Sequence, residues 1–120
     1  MRTARPPKEI PPPLEIECLK VLWEVGEAPV RDVRERLLPR RNLAYTTVMT
    51  LLDRLVRKGG AARRKSGRAF IYRAVLDQDT IRRKAVDELC ELLFDGSPEH
   101  LLRHLRESPQ RERTAAASSS

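Results

Sequence analysis

Apolar residues recur along this chain at helical spacing in five stretches, interrupted once by a short alternating run. In the first stretch, from about Leu14 to Val25, Leu14, Cys18, Val21, Leu22 and Val25 fall on one face. Ile16, Leu19 and Trp23 lie on its other side, so this helix is expected to be wrapped by neighbours. Gly26 follows in the place a left-handed C-cap favours. A second helix starts near Val30, with Pro29 suited to its first turn; it buries Val33, Leu37 and Leu38 and closes at Pro39. The third spans Ala44 to Lys58 and stops at Gly59-Gly60; its stripe is Ala44, Val48, Leu51, Leu52 and Leu55. The alternating run, Ala61 to Arg73, contains the turn signal Ser66-Gly67 and places Phe70 and Tyr72 on one strand face, which predicts a hairpin.

The fourth helix spans about Gln78 to Phe94, with Asp77 or Asp79 as its cap. Its apolar residues Ile81, Ala85, Val86, Leu89, Cys90, Leu92, Leu93 and Phe94 cover more than one face. Ser97-Pro98-Glu99 then starts a fifth helix carrying Leu101, Leu102 and Leu105. These two helices hold more apolar surface than a small domain can bury, which predicts a self-association arm. Residues 1–13 hold five of the nine prolines and read as a flexible leader; residues 107–120 read as a disordered tail.

Charge sharpens the picture. The net +7 of the 120 residues is concentrated in residues 40–76, where ten cations face only Asp53. Such a segment is the electrostatic footprint of a nucleic-acid surface. Opposite the apolar stripe of the third helix fall Thr46, Thr50, Asp53 and Arg57, flanked by Thr47 and Arg54, with Tyr45 and Met49 at the edge and Lys58 at the end. Short hydroxyls let a helix lie close in a major groove, threonine can touch a thymine methyl, and arginine can grip guanine O6 and N7. Arg63, Arg64, Lys65 and Arg68 surround the hairpin tip. A basic hairpin directly after a groove-type helix is the plan of a winged helix-turn-helix. The expected architecture is therefore mainly α with a small β-hairpin: a DNA-binding domain over residues 14–76 and a helical dimerisation arm over residues 77–106. Ile81, Ala85, Leu89, Leu92, Leu93, Leu101, Leu102 and Leu105 are its candidate dimer contacts.

Other chemistries find little support. There is no glycine-rich phosphate loop, no Ser/His/Asp set and no Cys-x-x-Cys, so neither an enzyme nor a cofactor is expected. His100 and His104 have a spacing that can bind zinc, but no third ligand stands nearby, and no metal site is assigned. Cys18 and Cys90 sit in apolar patterns as small hydrophobes. No apolar run reaches the roughly 18 residues a membrane span needs, so a cytoplasmic protein without membrane insertion is expected. Two rivals stay open: a winged helix that docks a protein partner without sequence-specific DNA binding, and a basic RNA-binding protein using Phe70 and Tyr72 for stacking.

Four strings resemble the penicillinase repressor family: Leu14-Glu-x-Glu-x-Leu-Lys-Val-Leu-Trp-Glu, Val30-Arg-Asp-Val, Leu43-Ala-Tyr-Thr-Thr-Val-Met-Thr-Leu-Leu-Asp-Arg-Leu, and Gly67-Arg-x-Phe-x-Tyr. The Leu-Phe-Asp-Gly-Ser around Phe94 adds to the likeness. The resemblance covers about residues 14–106. It implies a homodimeric winged-helix transcriptional repressor of a two-fold-symmetric double-stranded operator. It also implies release by a membrane-bound sensor metalloprotease whose signal ends in cleavage of the dimerisation arm. On this resemblance, recognition contacts fall on Thr46, Thr47, Met49, Thr50 and Arg54, and the wing is Arg63 to Arg73. The bond cut in antibiotic-responsive members would align near His104-Leu105, where they carry Asn-Phe. The tail lacks the cysteines of the copper-responsive members. Gly60 replaces a larger apolar residue, which is expected to weaken packing of the first wing strand.

Overall fold

The computed structural model describes residues 9–107; residues 1–8 of the expected leader and 108–120 of the expected tail lie outside them, while Pro11 is buried, Ile10 packs against the core and Pro13 begins the first helix. Along the chain run α1 (Pro13–Val25), β1 (Glu27–Pro29), α2 (Val30–Leu37), α3 (Tyr45–Arg57), β2 (Ala61–Ser66), β3 (Ala69–Ala74), α4 (Gln78–Leu93) and α5 (Pro98–Glu107). They form two compact units, one ending at Arg82 and the other beginning at Arg83, with α4 crossing the division.

In the first unit, α1, α2 and α3 pack around a core of Cys18, Leu19, Leu22, Val33, Leu37, Val48, Leu52 and Leu55, each essentially inaccessible. Leu19 is buried together with the opposite face of α1, as expected of a helix wrapped by neighbours, whereas Ile16 and Trp23 are half-buried. Helix α1 ends at Gly26, whose φ of 92° needs a residue without a Cβ and whose amide closes on the Leu22 carbonyl at 2.8 Å. The Arg34 Nε donates to the Leu43 carbonyl at 2.8 Å, so a residue of α2 holds the turn that launches α3.

The β structure is larger than the expected hairpin. β1 adds to it, giving a three-stranded antiparallel sheet in the order β1-β3-β2. Glu27 pairs with Arg73 and Pro29 with Ile71. Pro29 is extended, at φ −77° and ψ 167°, and precedes α2 as its cap rather than lying in its first turn. Three residues carry no readable alternation, and Pro29 can sit in a strand because it lies at the sheet edge.

Gly60 has close neighbours on the core side. A Cβ there would stand 3.2 Å from the Leu76 Cδ1 and 3.3 Å from the Leu55 Cδ2. Its carbonyl accepts from the amides of Val75 and Leu76, and its amide donates to the Leu55 carbonyl at 2.8 Å. Glycine thus lets the chain pass close to the core without leaving a hole. Leu76 is 7% exposed, and its carbonyl accepts from the Trp23 indole Nε1 at 2.8 Å. Ile81, assigned from the sequence to the dimerisation face, is 6% exposed and belongs to this same core. Periodicity could not separate it from the residues after it on a helix that is apolar on several sides.

In the second unit, α4 ends through two left-handed residues, Asp95 at φ 52° and Gly96 at φ 75°, and the Gly96 amide reaches back to the Cys90 carbonyl at 2.8 Å. The Ser97 Oγ then accepts from the His100 amide at 3.2 Å, capping α5 as its Ser-Pro-Glu start predicts. The Phe94 and His104 rings meet at 5.6 Å.

Burial, and next the charge of Glu15, push the Cys18 thiol up to about 12 from 9.0. The folded state therefore holds this proton more tightly than the unfolded chain. Its stabilising contribution is complete below about pH 9 and should disappear as pH rises towards 12. Urea midpoints of the wild type should fall more steeply across that window than those of Cys18→Ala. Equal slopes for the two proteins would show that the thiol does not titrate in this way.

Candidate nucleic-acid interface

Helix α3 starts at Tyr45 because Ala44 is extended and supplies the first helical carbonyl, which accepts from the Val48 amide at 3.1 Å. Its buried stripe of Val48, Leu51, Leu52 and Leu55 fixes the rotation of the helix. That rotation leaves Thr46, Thr47, Thr50, Arg54 and Arg57 exposed. Tyr45 and Met49 stand 49% and 37% exposed on the same helix. Among the described residues, Arg54, Arg57, Lys65, Arg68 and Arg73 have neither an ion pair nor a side-chain hydrogen bond. Five guanidinium or ammonium groups thus stand on this helix and hairpin with no internal anion to satisfy them.

A groove of about 550 Å3 separates the start of α3 from the sheet, lined by Val30, Arg31, Tyr45, Met49, Arg68 and Phe70 among others. Its walls combine exposed apolar side chains with two guanidinium groups, a mixture suited to a sugar–phosphate strand. Arg31 and Phe70 join the candidate site in this way. The sequence gave no sign of Arg31, which lies on a different helix, whereas Phe70 was legible as a wing residue and a possible stacking aromatic but not as a neighbour of α3.

Three other candidate contacts are engaged within the protein. The Lys58 Nζ donates to both carboxylate oxygens of Glu15, at 2.9 and 3.2 Å. Glu15 is 1% exposed on α1, a buried acid that the helical pattern gave no reason to expect. Lys58 is thereby a tie between the end of α3 and the start of α1, rather than the free cation the charge run implied. Arg64 reaches across β3 to pair with Glu27 on β1. Arg63 donates from Nη1 to the Asp53 Oδ1 at 2.8 Å, and its guanidinium lies 4.1 Å from the Phe70 ring centre. The Tyr72 hydroxyl, in a residue only 1% exposed, donates to the same Asp53 oxygen at 2.7 Å. Burial, followed by this hydrogen bond, raises the Tyr72 phenol above its usual value and keeps it a donor.

Three helices closed by a three-stranded sheet, with a polar exposed third helix followed by a basic hairpin, define a winged-helix protein. The comparison with known proteins gives the class its family. The sequence profile of the penicillinase repressors matches residues 12–116, so the chain belongs to the penicillinase repressor family.

The transcriptional regulator BlaI of Mycobacterium tuberculosis is 38% identical over 96 residues, covering 78% of this chain and 70% of that protein. An uncharacterized 16.5 kDa protein of Latilactobacillus sakei is 34% identical over 79 residues, covering 66% of this chain and 54% of that protein. The solution structure of the DNA-binding domain of the repressor BlaI superimposes with a TM-score of 0.55 at 27% identity, covering 65% of this chain and 93% of that domain. The monomeric form of Bacillus licheniformis BlaI, solved in complex with the blaP half-operator, gives 0.50 at 30% identity over 60% of this chain and 90% of that one. No described helix is long and apolar enough to cross a membrane.

Proposed function

We propose that this protein is a transcriptional repressor that binds a two-fold-symmetric operator as a homodimer. Helix α3 lies in the major groove and the β2–β3 wing lies along the adjacent backbone. The observation that carries this reading is the α3 face of Thr46, Thr47, Thr50 and Arg54, exposed and without internal ionic partners, beside a basic hairpin in a member of a repressor family. Operator binding by the relative of known complex supports it. The role is regulatory rather than catalytic, and it places the protein in the cytoplasm with the DNA.

Dimerisation is assigned to the arm from Arg83 onwards, through Leu89, Leu92, Leu93, Leu101, Leu102 and Leu105, with Ala85 beside them. Two half-sites bound by coupled protomers hold far better than either alone, so uncoupling the arm is a sufficient release. A membrane-bound sensor metalloprotease acting near His104-Leu105 would achieve this. Mass measurement of the protein from induced cells checks that route: a full-length, dimeric, operator-competent repressor under induction would exclude cleavage.

Base and backbone contacts should separate by mutation. Arg54→Ala or Thr47→Ala should cost about 1–3 kcal/mol and relax preference at particular base pairs. Lys65→Ala should weaken all duplexes alike and reduce the log–log salt slope by about 0.9. Titrations on operator variants at several salt concentrations read both effects. An unchanged ranking of variants with Arg54→Ala would show that α3 does not present this face to the bases. Absence of salt-dependent duplex binding by the wild type would favour the protein-docking alternative.

A further inference from the structure

We propose that Asp53, Tyr72 and Arg63 form a strut that sets the position of the wing against α3, so that Arg63 positions the hairpin instead of binding phosphate. The inference rests on the DNA-binding reading above and assigns roles within it. Asp53 is the lone acid among the residues of the basic segment, and it lies on α3 itself. Mere electrostatics makes it a poor choice there, since a carboxylate near a phosphate backbone repels it. The geometry shows what it does instead. A single oxygen, Oδ1, accepts from the Tyr72 hydroxyl of β3 at 2.7 Å and from the Arg63 guanidinium of β2 at 2.8 Å.

Arg63 and Tyr72 are directly paired across the two strands, so both wing strands are fastened to one point on the helix. Arg63 also stacks on Phe70, which shares a sheet face with Tyr72. On the opposite face, Arg64 is tied to Glu27. The two arginines of β2 are thus spent on holding the hairpin, one on each face. Lys65 and Arg68, at the tip and without such partners, are left to meet the backbone. A two-stranded ribbon is only marginally stable alone, so an anchor near its middle determines where its tip points.

The sign of one substitution separates this role from simple charge. Asp53→Asn removes a negative charge from the DNA-facing helix, which by Coulomb interaction alone would tighten binding. The strut predicts the reverse: affinity for the duplex this protein selects from a random pool falls by about tenfold, and the salt slope falls by about 0.9 as the tip contact is misplaced. Lys65→Ala should then have little further effect in the Asp53→Asn background, whereas it is costly in the wild type. Tyr72→Phe keeps the buried ring and should shift binding in the same direction by a smaller factor.

Amide hydrogen exchange of the DNA-free proteins supplies a readout independent of DNA. Hairpin amides of residues 63–70 should exchange faster in both variants, while those of α1 and α2 stay protected. Unchanged or tighter duplex binding with unchanged hairpin exchange would overturn the strut. Failure of the wild type to bind any duplex would instead overturn the DNA-binding reading, and hairpin exchange would still decide the anchoring. If Asp53→Asn does not fold, Tyr72→Phe carries the same two measurements.

Discussion

Replacing Leu92 and Leu93 together by aspartate should give a folded monomer whose operator affinity is lower by about two orders of magnitude. Within one chain these leucines are 79% and 66% exposed, so charge at either position removes little of the packing that the single chain makes. Leu102 and Leu105 of α5 are 46% and 42% exposed as well. A run of exposed leucines this dense is unusual on a monomer's surface. The affinity loss follows from effective concentration: one protomer bound to its half-site presents the other at roughly millimolar levels, and that advantage vanishes when the pair is uncoupled. Sedimentation velocity and operator titration read the two halves of the expectation. A double variant that stays dimeric would move the dimer interface elsewhere, and a monomer with wild-type affinity would remove the need for two half-sites.

The second large effect concerns stability. Lys58→Met should destabilise the first unit by about 2 kcal/mol, because it strands the Glu15 carboxylate without its partner. The Glu15 side chain is 2% exposed, whereas that of Lys58 is 53% exposed. Water can therefore reach the vacated position, and the cost lies below the roughly 3–5 kcal/mol of a fully buried pair. For a domain whose total stability is only about 5–15 kcal/mol, this is a large fraction. Glu15→Leu combined with Lys58→Met should recover most of the loss, since two apolar groups leave no charge to solvate. Denaturant unfolding of the wild type and the two variants tests this. If Lys58→Met melts like the wild type yet loses about 0.9 of the salt slope, Lys58 is a phosphate contact after all.

Much of this fold is written in the chain's periodicity. The stripe of Val48, Leu51, Leu52 and Leu55 determines which side of α3 is buried, and therefore which threonines and arginines face outward. The turn at Gly67 has a φ of 63° and joins strands whose register pairs Ser66 with Ala69. What escaped was decided by contacts between residues distant in sequence. β1 is three residues long and exists because β3 offers it an edge. Glu15 looks like any first-turn acid until Lys58, 43 positions away, arrives beside it. Charge counting alone treats every cation of residues 40–76 as available, yet Lys58, Arg63 and Arg64 each have an internal carboxylate. Asp53, legible only as a blemish in a basic run, turns out to be where helix and wing meet.

The indole of Trp23 gives the protein an optical reporter of its own. It is the sole tryptophan in the sequence, half-buried, and its ring nitrogen is bonded to the Leu76 carbonyl where the sheet gives way to α4. Selective excitation of this ring therefore follows one thing, the closure of the β3–α4 connection on α1. Emission should move to longer wavelength when that connection opens. The chain from Arg83 onward carries no tryptophan, so the emission originates in the first unit alone. The intrinsic fluorescence of the unlabelled protein thus follows the DNA-binding unit directly, at the bond that closes it.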